Sequence, residues 1–202
     1  MSSAMLSVGS APMNFSPPRL ETERLLLQMA TREDVPAILA YYRENRDFLT
    51  PFEPARCAEF YTLGFWREQV DKAQFEFSYG QSLKLCLFKK QAPNAVIGKI
   101  NFHQIQRGVA YACVLGYSLS AQNQGQGYMT EALRCALDYM FTVQHMHRVG
   151  ANYMPRNQRS GNVLRRLGFV VEGYARDYLL IAGQWEDHIL TSLTNPDWQM
   201  PI

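Results

Sequence analysis

Gly125 and Gly127 separate a strand pattern at residues 116–119 from a helix pattern that begins near Met129. Glycine permits the tight turn and the close backbone approach that such a loop requires. The first turn of a helix has N–H groups without intrahelical partners and carries a partial positive charge. Because both features favour a negatively charged ligand, the segment predicts a site for a phosphate or a pyrophosphate.

The helix after the glycines is predicted from one apolar stripe. Its apolar residues recur at steps of three and four positions, which is typical of an amphipathic helix that ends near Gln144. They are Met129, Ala132, Leu133, Ala136, Leu137, Met140 and Phe141.

Two common phosphate loops do not fit this segment. The P-loop requires Lys and then Ser or Thr after its second glycine, where this chain has Tyr128 and Met129. The dinucleotide loop requires a third small residue where Thr130 stands. The glycines therefore indicate either a different anion loop or an ordinary turn before a structural helix.

The composition is that of one globular domain without a strong electric field. The chain has 202 residues, 47% of them hydrophobic, and a net charge of +2. A length of this order buries roughly 70% of the unfolded surface in one core. The weak charge predicts no direct reading of nucleic acid and no attraction to a membrane.

We expect a cytoplasmic chain with one domain at residues 19–198 and a disordered arm at residues 1–18. The arm has neither the positive start nor the apolar region of a secretory signal, and no apolar run reaches the roughly 18 residues of a membrane span. The cysteines lack the close spacing of a zinc site, so we expect reduced thiols and no metal. They are Cys57, Cys86, Cys113 and Cys135.

Alternating strand and helix patterns predict an α/β fold. Strand patterns occur at residues 24–29, 83–88, 96–103, 111–119, 148–153, 170–181 and 184–193. Helix patterns occur at residues 31–42, 65–77, 129–144 and 157–167. Turns are predicted at residues 93–94 and 107–108, and residues 182–183 predict a hairpin.

The glycine segment resembles the acetyl-coenzyme A loop of the GNAT superfamily of N-acetyltransferases, which is written Q/R-x-x-G-x-G/A. The frame Gln122-x-x-Gly125-x-Gly127 matches every letter, whereas Gln124-x-x-Gly127-x-Met129 has Met at the last position. We favour the second frame, because it aligns the family's GYxL strand with residues 116–119 and its helix start with residues 130–132.

A second motif of the same superfamily is present. The family has Asn at the start of its fourth helix and Leu-Gly-Phe ten residues later, which correspond here to Asn157 and residues 167–169. The resemblance extends over residues 19–198 and implies the α/β (α+β) GNAT fold, a mixed and mostly antiparallel sheet of about seven strands with four helices. Within the superfamily the chain is most similar to RimJ-type ribosomal-protein-alanine N-acetyltransferases, through residues 41–45, 151–155, 159–161 and 177–181.

The resemblance implies that acetyl-coenzyme A is the co-substrate. Backbone N–H groups of the loop would hold its pyrophosphate, the main chain of residues 117–119 would pair with the pantetheine arm, and Asn157 would hold that arm from the other side. A plain helix cap is an equally compatible role for Asn157. The implied cofactor-binding residues are Tyr117, Ser118, Leu119, Gly125, Gln126, Gly127, Tyr128, Met129, Thr130 and Asn157.

Ser160 is the candidate that assists the departing thiolate. Many family members have Tyr seven residues after the motif Asn, but this chain has Leu164 there, and a close subgroup uses Ser three residues after it. A hydroxyl is a far weaker acid than a thiol, so we expect Ser160 to stabilise the sulfur by hydrogen bonding or to relay a proton. The alternative is that Ser160 only caps its own helix.

Glu53 is the first candidate for activating the acceptor amine, which must be neutral to attack. A protein N-terminus has a pKa of roughly 7.7 to 8.0, so modest help from a carboxylate suffices. Glu53 stands between Phe52 and Pro54 in a loop that, in this family, lines the acceptor groove; the alternative is an ordinary solvated glutamate. Asp177 and Glu172 are lesser candidates, and Asn152 replaces a glutamate base of some relatives.

The resemblance thus implies acetyl transfer to the N-terminal amine of a protein, with a small-subunit ribosomal protein that begins with Ala as the expected partner. Two alternatives remain open on the sequence: acetylation of a small amine or peptide antibiotic, and a non-catalytic role in ribosome assembly.

Overall fold

The computed structural model describes residues 16–200, so the proposed arm at residues 1–18 lies outside it except for its last three positions. Within that range the strands form one eight-stranded sheet with the order β1-β2-β3-β4-β5-β6-β8-β7. All neighbouring strands are antiparallel except β5 and β6, which are parallel. The strands are β1 Arg19–Glu21, β2 Leu25–Gln28, β3 Leu83–Lys89, β4 Ala92–Gln106, β5 Ala112–Leu119, β6 Arg148–Tyr153, β7 Val170–Ile181 and β8 Gln184–Thr194.

The described residues form five α-helices, joined in places by single 3-10 turns. They are α1 Val35–Glu44, α2 Arg46–Leu49, α3 Leu63–Ser78, α4 Tyr128–Thr142 and α5 Gln158–Arg166. The expected counts of seven strands and four helices were each one too low. The two elements that were not predicted, β1 and α2, have three and four residues, too few to produce a periodic pattern.

The turn predicted at residues 93–94 was wrong, because Pro93 and Asn94 lie within β4. The pairing with β3 explains how the strand accepts a proline: Lys89 opposes Ala92 and Phe88 opposes Val96, so residues 93–95 bulge out without partners. A proline costs no ladder hydrogen bond at such a bulge.

The helices cover both faces of the sheet. α4 and α5 pack on one face over a core that includes Leu133, Met140 and Leu164. α1 and α3 pack over a second, aromatic core that includes Tyr42, Phe60 and Trp66. Within residues 16–200, no helix combines the length and the apolar character needed to span a membrane.

The parallel pair β5 and β6 separates in the middle of the sheet. Their register runs from Ala112 opposite Arg148 to Leu115 opposite Ala151, although β5 continues to Leu119 and β6 to Tyr153. On its other edge β5 stays paired with β4 as far as Leu119 opposite Gly98. The second half of β5 therefore presents a free main-chain edge toward β6.

Candidate active site

A cavity of about 980 Å³ opens where β5 and β6 separate. Its lining includes both predicted catalytic residues, Glu53 and Ser160, and also residues 117–119 and Asn157. Glu53 and Ser160 lie more than 100 residues apart in the sequence. The fold therefore brings candidate residues for cofactor binding and for acceptor activation to the same cavity.

The glycine loop leads directly into α4. Gly125 and Gly127 have φ values of 74° and 80°, the left-handed region that favours glycine, and Gly127 is the residue before the first helical position. The first intrahelical bond runs from the Glu131 N–H to the Gly127 carbonyl, at 3.0 Å. The N–H groups of residues 128–130 come before that bond, and such groups at a helix N-terminus are the donors that an anion site uses.

Two cations that the sequence analysis did not identify stand beside this loop. Arg24 donates to the Gln126 carbonyl (3.0 Å) and forms an ion pair with Glu131 (2.6 Å). The Arg24 guanidinium and the Lys89 ammonium both lie over the Tyr128 ring, 4.4 and 5.0 Å from its centroid. Arg24 directly precedes β2 and Lys89 ends β3, 104 and 39 residues before Tyr128, so no local motif reveals them.

The side chain of Gln124 fastens the loop to the end of β5. Its Nε2 donates to the carbonyl of Leu119 at 2.9 Å and, at 3.4 Å, to that of Ser120. The residue that begins the favoured motif frame therefore has a structural contact that holds the glycines next to the free edge of β5.

The main chain of residues 117–119 has one edge engaged and one edge free. Tyr117 pairs with Ile100 and Ser118 with Lys99 across β4, while no pairing with β6 continues beyond Leu115. An extended ligand with amide groups can add to such an edge as another strand would. The geometry supports the predicted role of this segment.

Ser160 and Tyr117 form a pair of hydroxyl groups in the cavity. Their oxygens, Ser160 Oγ and Tyr117 Oη, lie 2.8 Å apart, and Tyr117 also donates to the Ser160 carbonyl at 3.0 Å. The adjacent Gly161 allows α5 to lie close to β6, because a Cβ at that position would lie 2.6 Å from the Tyr153 ring. Burial raises the pKa of Tyr117 to about 12, although its bond to Ser160 acts in the other direction.

Asn157 caps α5. Its side chain accepts a hydrogen bond from the Ser160 N–H at 3.2 Å. The cap uses the side-chain oxygen, and Asn157 also lines the cavity, so capping and ligand contact are compatible. The alternative role for Ser160 is not observed: its hydroxyl faces Tyr117, and the capping group of this helix belongs to Asn157.

Glu53 lies in the loop after α2, where the cavity opens toward the aromatic core. Its carboxylate forms an ion pair with Arg56 at 3.1 Å, and the two side chains are 18% and 33% exposed. The Glu53 carbonyl accepts a hydrogen bond from the Ala182 N–H at 2.9 Å, which joins this loop to the β7–β8 hairpin. Glu53 is therefore a positioned residue and not a freely solvated one.

The lesser carboxylate candidates do not line this cavity. Glu172 forms an ion pair with Arg148 and accepts a hydrogen bond from Ser192 at 2.8 Å. The Asp177 N–H donates to Asp187 at 2.8 Å in the middle of a bulge. Asn152 does line the cavity, as its strand position suggests.

The end of the cavity near α1 and α3 has an aromatic wall formed by Tyr42 and Trp66. Their rings stack with centroids 4.8 Å apart. Lys99 extends from β4 into this wall: its Nζ lies 4.4 Å from the Trp66 centroid and donates to the Tyr42 hydroxyl at 3.4 Å. The sequence analysis missed Lys99, whose only local signal is a single charge within an apolar strand.

The chain belongs to the GNAT acetyltransferases: the family model described as "Acetyltransferase (GNAT) domain" matches residues 24–170. It is thus an acyltransferase with the GNAT fold, as the sequence motifs predicted.

Its similarity to particular relatives is extensive. The chain is 46% identical over 180 residues to the [Ribosomal protein uS5]-alanine N-acetyltransferase of Escherichia coli, covering 89% of this chain and 92% of that one. The solved ribosomal-protein-S5-alanine acetyltransferase of Vibrio fischeri superposes with a TM-score of 0.86 at 36% identity, covering 91% and 100% of the two chains. RimJ of Mycobacterium smegmatis, solved with CoA-disulfide, gives 0.80 at 25% identity and covers 91% and 89%.

Proposed function

We propose that this enzyme transfers an acetyl group from acetyl-coenzyme A to the N-terminal amine of a protein, specifically the N-terminal alanine of a small-subunit ribosomal protein in the cytoplasm. The observation that carries the proposal is the cavity itself, which is lined by the second half of β5, by the Ser160–Tyr117 pair, and by Gln124 and Met129 on either side of the glycines. The similarity to the uS5-alanine N-acetyltransferase of Escherichia coli supports the choice of acceptor.

In this proposal the cofactor lies between β5 and α5. The pyrophosphate contacts the N–H groups that precede the first intrahelical bond of α4, and Arg24 and Lys89 supply positive charge beside it. The pantetheine amides pair with the main chain of residues 117–119, since β6 does not pair with that segment, although the Leu119 carbonyl already accepts a hydrogen bond from Gln124. Asn157 contacts the arm from the opposite side.

The transfer needs no covalent enzyme intermediate. The neutral amine attacks the thioester carbon, the C–S bond breaks, and the sulfur leaves as a thiolate. A main-chain N–H of β5 stabilises the negative charge on the carbonyl oxygen, because a fixed donor in a partly dry site acts without reorganisation.

The Ser160 hydroxyl meets the departing sulfur while Tyr117 supports it from behind. Burial raises the pKa of Tyr117 well above that of a thiol, so complete proton transfer from Tyr117 to the thiolate would be uphill. The pair therefore stabilises the sulfur by hydrogen bonding, and the final proton comes from the acceptor amine or from water.

Glu53 attracts the acceptor ammonium and accepts its proton, directly or through water. Arg56 competes for the same carboxylate, and an arriving amine displaces part of that ion pair. Because an N-terminal amine has a pKa near roughly 8, a weak base is sufficient at neutral pH.

The test is release of coenzyme A thiol with purified small-subunit ribosomal proteins, combined with intact-mass analysis of those proteins from cells with and without the gene for this chain. We expect turnover on a protein that begins with Ala and the loss of one acetyl group from the same protein in cells that lack the enzyme. Turnover restricted to small amines, or binding without turnover, would contradict the proposal.

A further inference from the structure

The cavity is strongly unbalanced in charge. Among the described residues that line it, Glu53 is the one carboxylate, against five Lys and Arg side chains. The five are Arg56, Lys84, Lys99, Arg156 and Arg159.

Three of these five cations already have carboxylate partners. Arg56 pairs with Glu53, Lys84 with Glu76 at 2.8 Å, and Arg156 with Glu186 at 2.6 Å. Lys99 and Arg159 form no ion pair with any residue in the range 16–200. Arg159 is exposed on α5, whereas Lys99 is largely buried against the stacked rings of Tyr42 and Trp66, so the Lys99 amine is the one held in a fixed position.

Lys99 lies on the acceptor side of the reacting groups. It is the Cα partner of Ser118 across β4 and β5, and paired residues project from the same face of a sheet. The Ser118 hydroxyl accepts a hydrogen bond from Tyr41 of α1 at 2.9 Å, so this face is the one that α1 and α3 cover.

We propose that Lys99 determines the acceptor class of this enzyme: an N-terminal segment with an acidic side chain at its second or third residue, to the exclusion of polyamines and of N-termini followed closely by Lys or Arg. This inference rests on the proposed function and specifies its substrate. An acceptor carboxylate at Lys99 completes the ion pair that the protein leaves open, while a second cation there meets repulsion in a cavity with a single carboxylate.

The distances favour the second or third residue of the acceptor. Neighbouring strands lie about 4.8 Å apart, and an extended peptide advances about 3.3 Å per residue. A lysine on the strand beside Ser118 therefore lies within reach of a side chain one or two residues beyond the reacting amine. Burial also lowers the pKa of Lys99, because removal from water disfavours the charged amine. A bound carboxylate offsets this desolvation cost.

The experiment compares peptides that begin with Ala and differ only at position two or three, where they carry Asp, Ala or Lys. Thiol release gives kcat/KM for each peptide. With the parent enzyme we expect Asp to exceed Lys by at least about 10-fold, the size expected of one charge pair across a partly wet cavity. Spermidine should fall at least about 100-fold below the Asp peptide, since it brings several charges.

Three variants isolate the effect of Lys99. Lys99→Met should reduce the difference between the Asp and Lys peptides to less than about threefold, whereas Lys99→Arg should retain most of it. Lys84→Met is the matched control, because Lys84 lines the same cavity but already pairs with Glu76, and its discrimination should equal that of the parent. Thermal melting of each variant checks that it is folded.

Two outcomes overturn the inference in different ways. If the parent acetylates all peptides equally, or Lys99→Met keeps the full preference for Asp, Lys99 does not select the acceptor, although N-terminal acetylation stands. If no N-terminal peptide is acetylated while spermidine is, both the inference and the proposed function are wrong.

Discussion

Removal of the Ser160 hydroxyl separates a chemical role from a structural one, because the structure contains a second Tyr–Ser hydroxyl pair on the same strand. Ser160 Oγ lies 2.8 Å from the Tyr117 hydroxyl, and Ser118 Oγ lies 2.9 Å from the Tyr41 hydroxyl. Both bonds join neutral groups and are partly buried. Each should therefore contribute about 1 kcal/mol to folding, while only the first faces the proposed sulfur position.

The variants are Ser160→Ala, Tyr117→Phe and their double substitution, with Tyr41→Phe as the control. Loss of either bond should lower the melting temperature by about 2 to 4 °C, the shift that 1 kcal/mol produces in a chain of this size. Ser160→Ala should also reduce kcat by about 10- to 1000-fold, because its hydroxyl meets charge that exists only in the transition state. Tyr41→Phe should keep kcat within about twofold of the parent.

Tyr117 acts through Ser160, so the two losses should not add. We expect Tyr117→Phe to cost about 10-fold in kcat and the double variant to be no slower than Ser160→Ala alone. Thiol release measures kcat, and calorimetry with coenzyme A should give an affinity near that of the parent for Ser160→Ala. A Ser160→Ala enzyme with parental kcat and the same melting shift as Tyr41→Phe would refute the role of the hydroxyl.

Three further predictions concern other parts of the site. Gly127→Ala and its control Gly108→Ala each place a methyl group at a positive φ, 80° and 73°, with no close protein contact. Each should lower the free energy of unfolding by about 1 to 2 kcal/mol. Calorimetry should show at least about 10-fold weaker coenzyme A binding for Gly127→Ala alone. Glu53→Gln should slow turnover at pH 7 and recover much of it near about pH 9, where an N-terminal amine is already neutral; the control Glu186→Gln, which also removes an arginine partner, should show no such pH-dependent defect. Burial lowers the pKa of Lys99 from 10.5, so the unfolded chain binds more protons between the two pKa values and stability rises with pH there. Lys99→Met should accordingly raise the melting temperature at neutral pH, and this increase should shrink as the pH approaches 10.5. An increase in melting temperature that stays constant over this pH range would contradict the burial argument.

Local patterns in the sequence were sufficient for most of the fold. The strands at residues 148–153 and 170–181 and the helix after the glycine loop were predicted at or within a few residues of their observed bounds. Their signals are periodicity, capping residues and turn residues, which act over a few positions along the chain. The hairpin at Ala182 and Gly183 is of the same kind, since both residues have the positive φ that a two-residue turn requires.

The sequence also identified the two motifs of the site, Gly125 to Thr130 and Asn157 to Ser160. Residues 157–160 and Glu53 line one cavity, whereas Met129 is the lining residue within the first motif. What these residues bind and do remains a prediction that the experiments above address.

Only the tertiary structure decided which side chains meet. The Tyr117–Ser160 pair joins positions 43 residues apart, and the contact of Lys99 with Tyr42 joins positions 57 apart. Tyr117 was predicted to contribute its main chain, and Lys99 was not predicted at all. Such contacts depend on strand register and on the close packing that Gly161 allows, whereas propensity and periodicity describe one element at a time. The sequence thus determines the elements and the cofactor loop, while the sheet pairing determines the hydroxyl pair and the buried cation beside them.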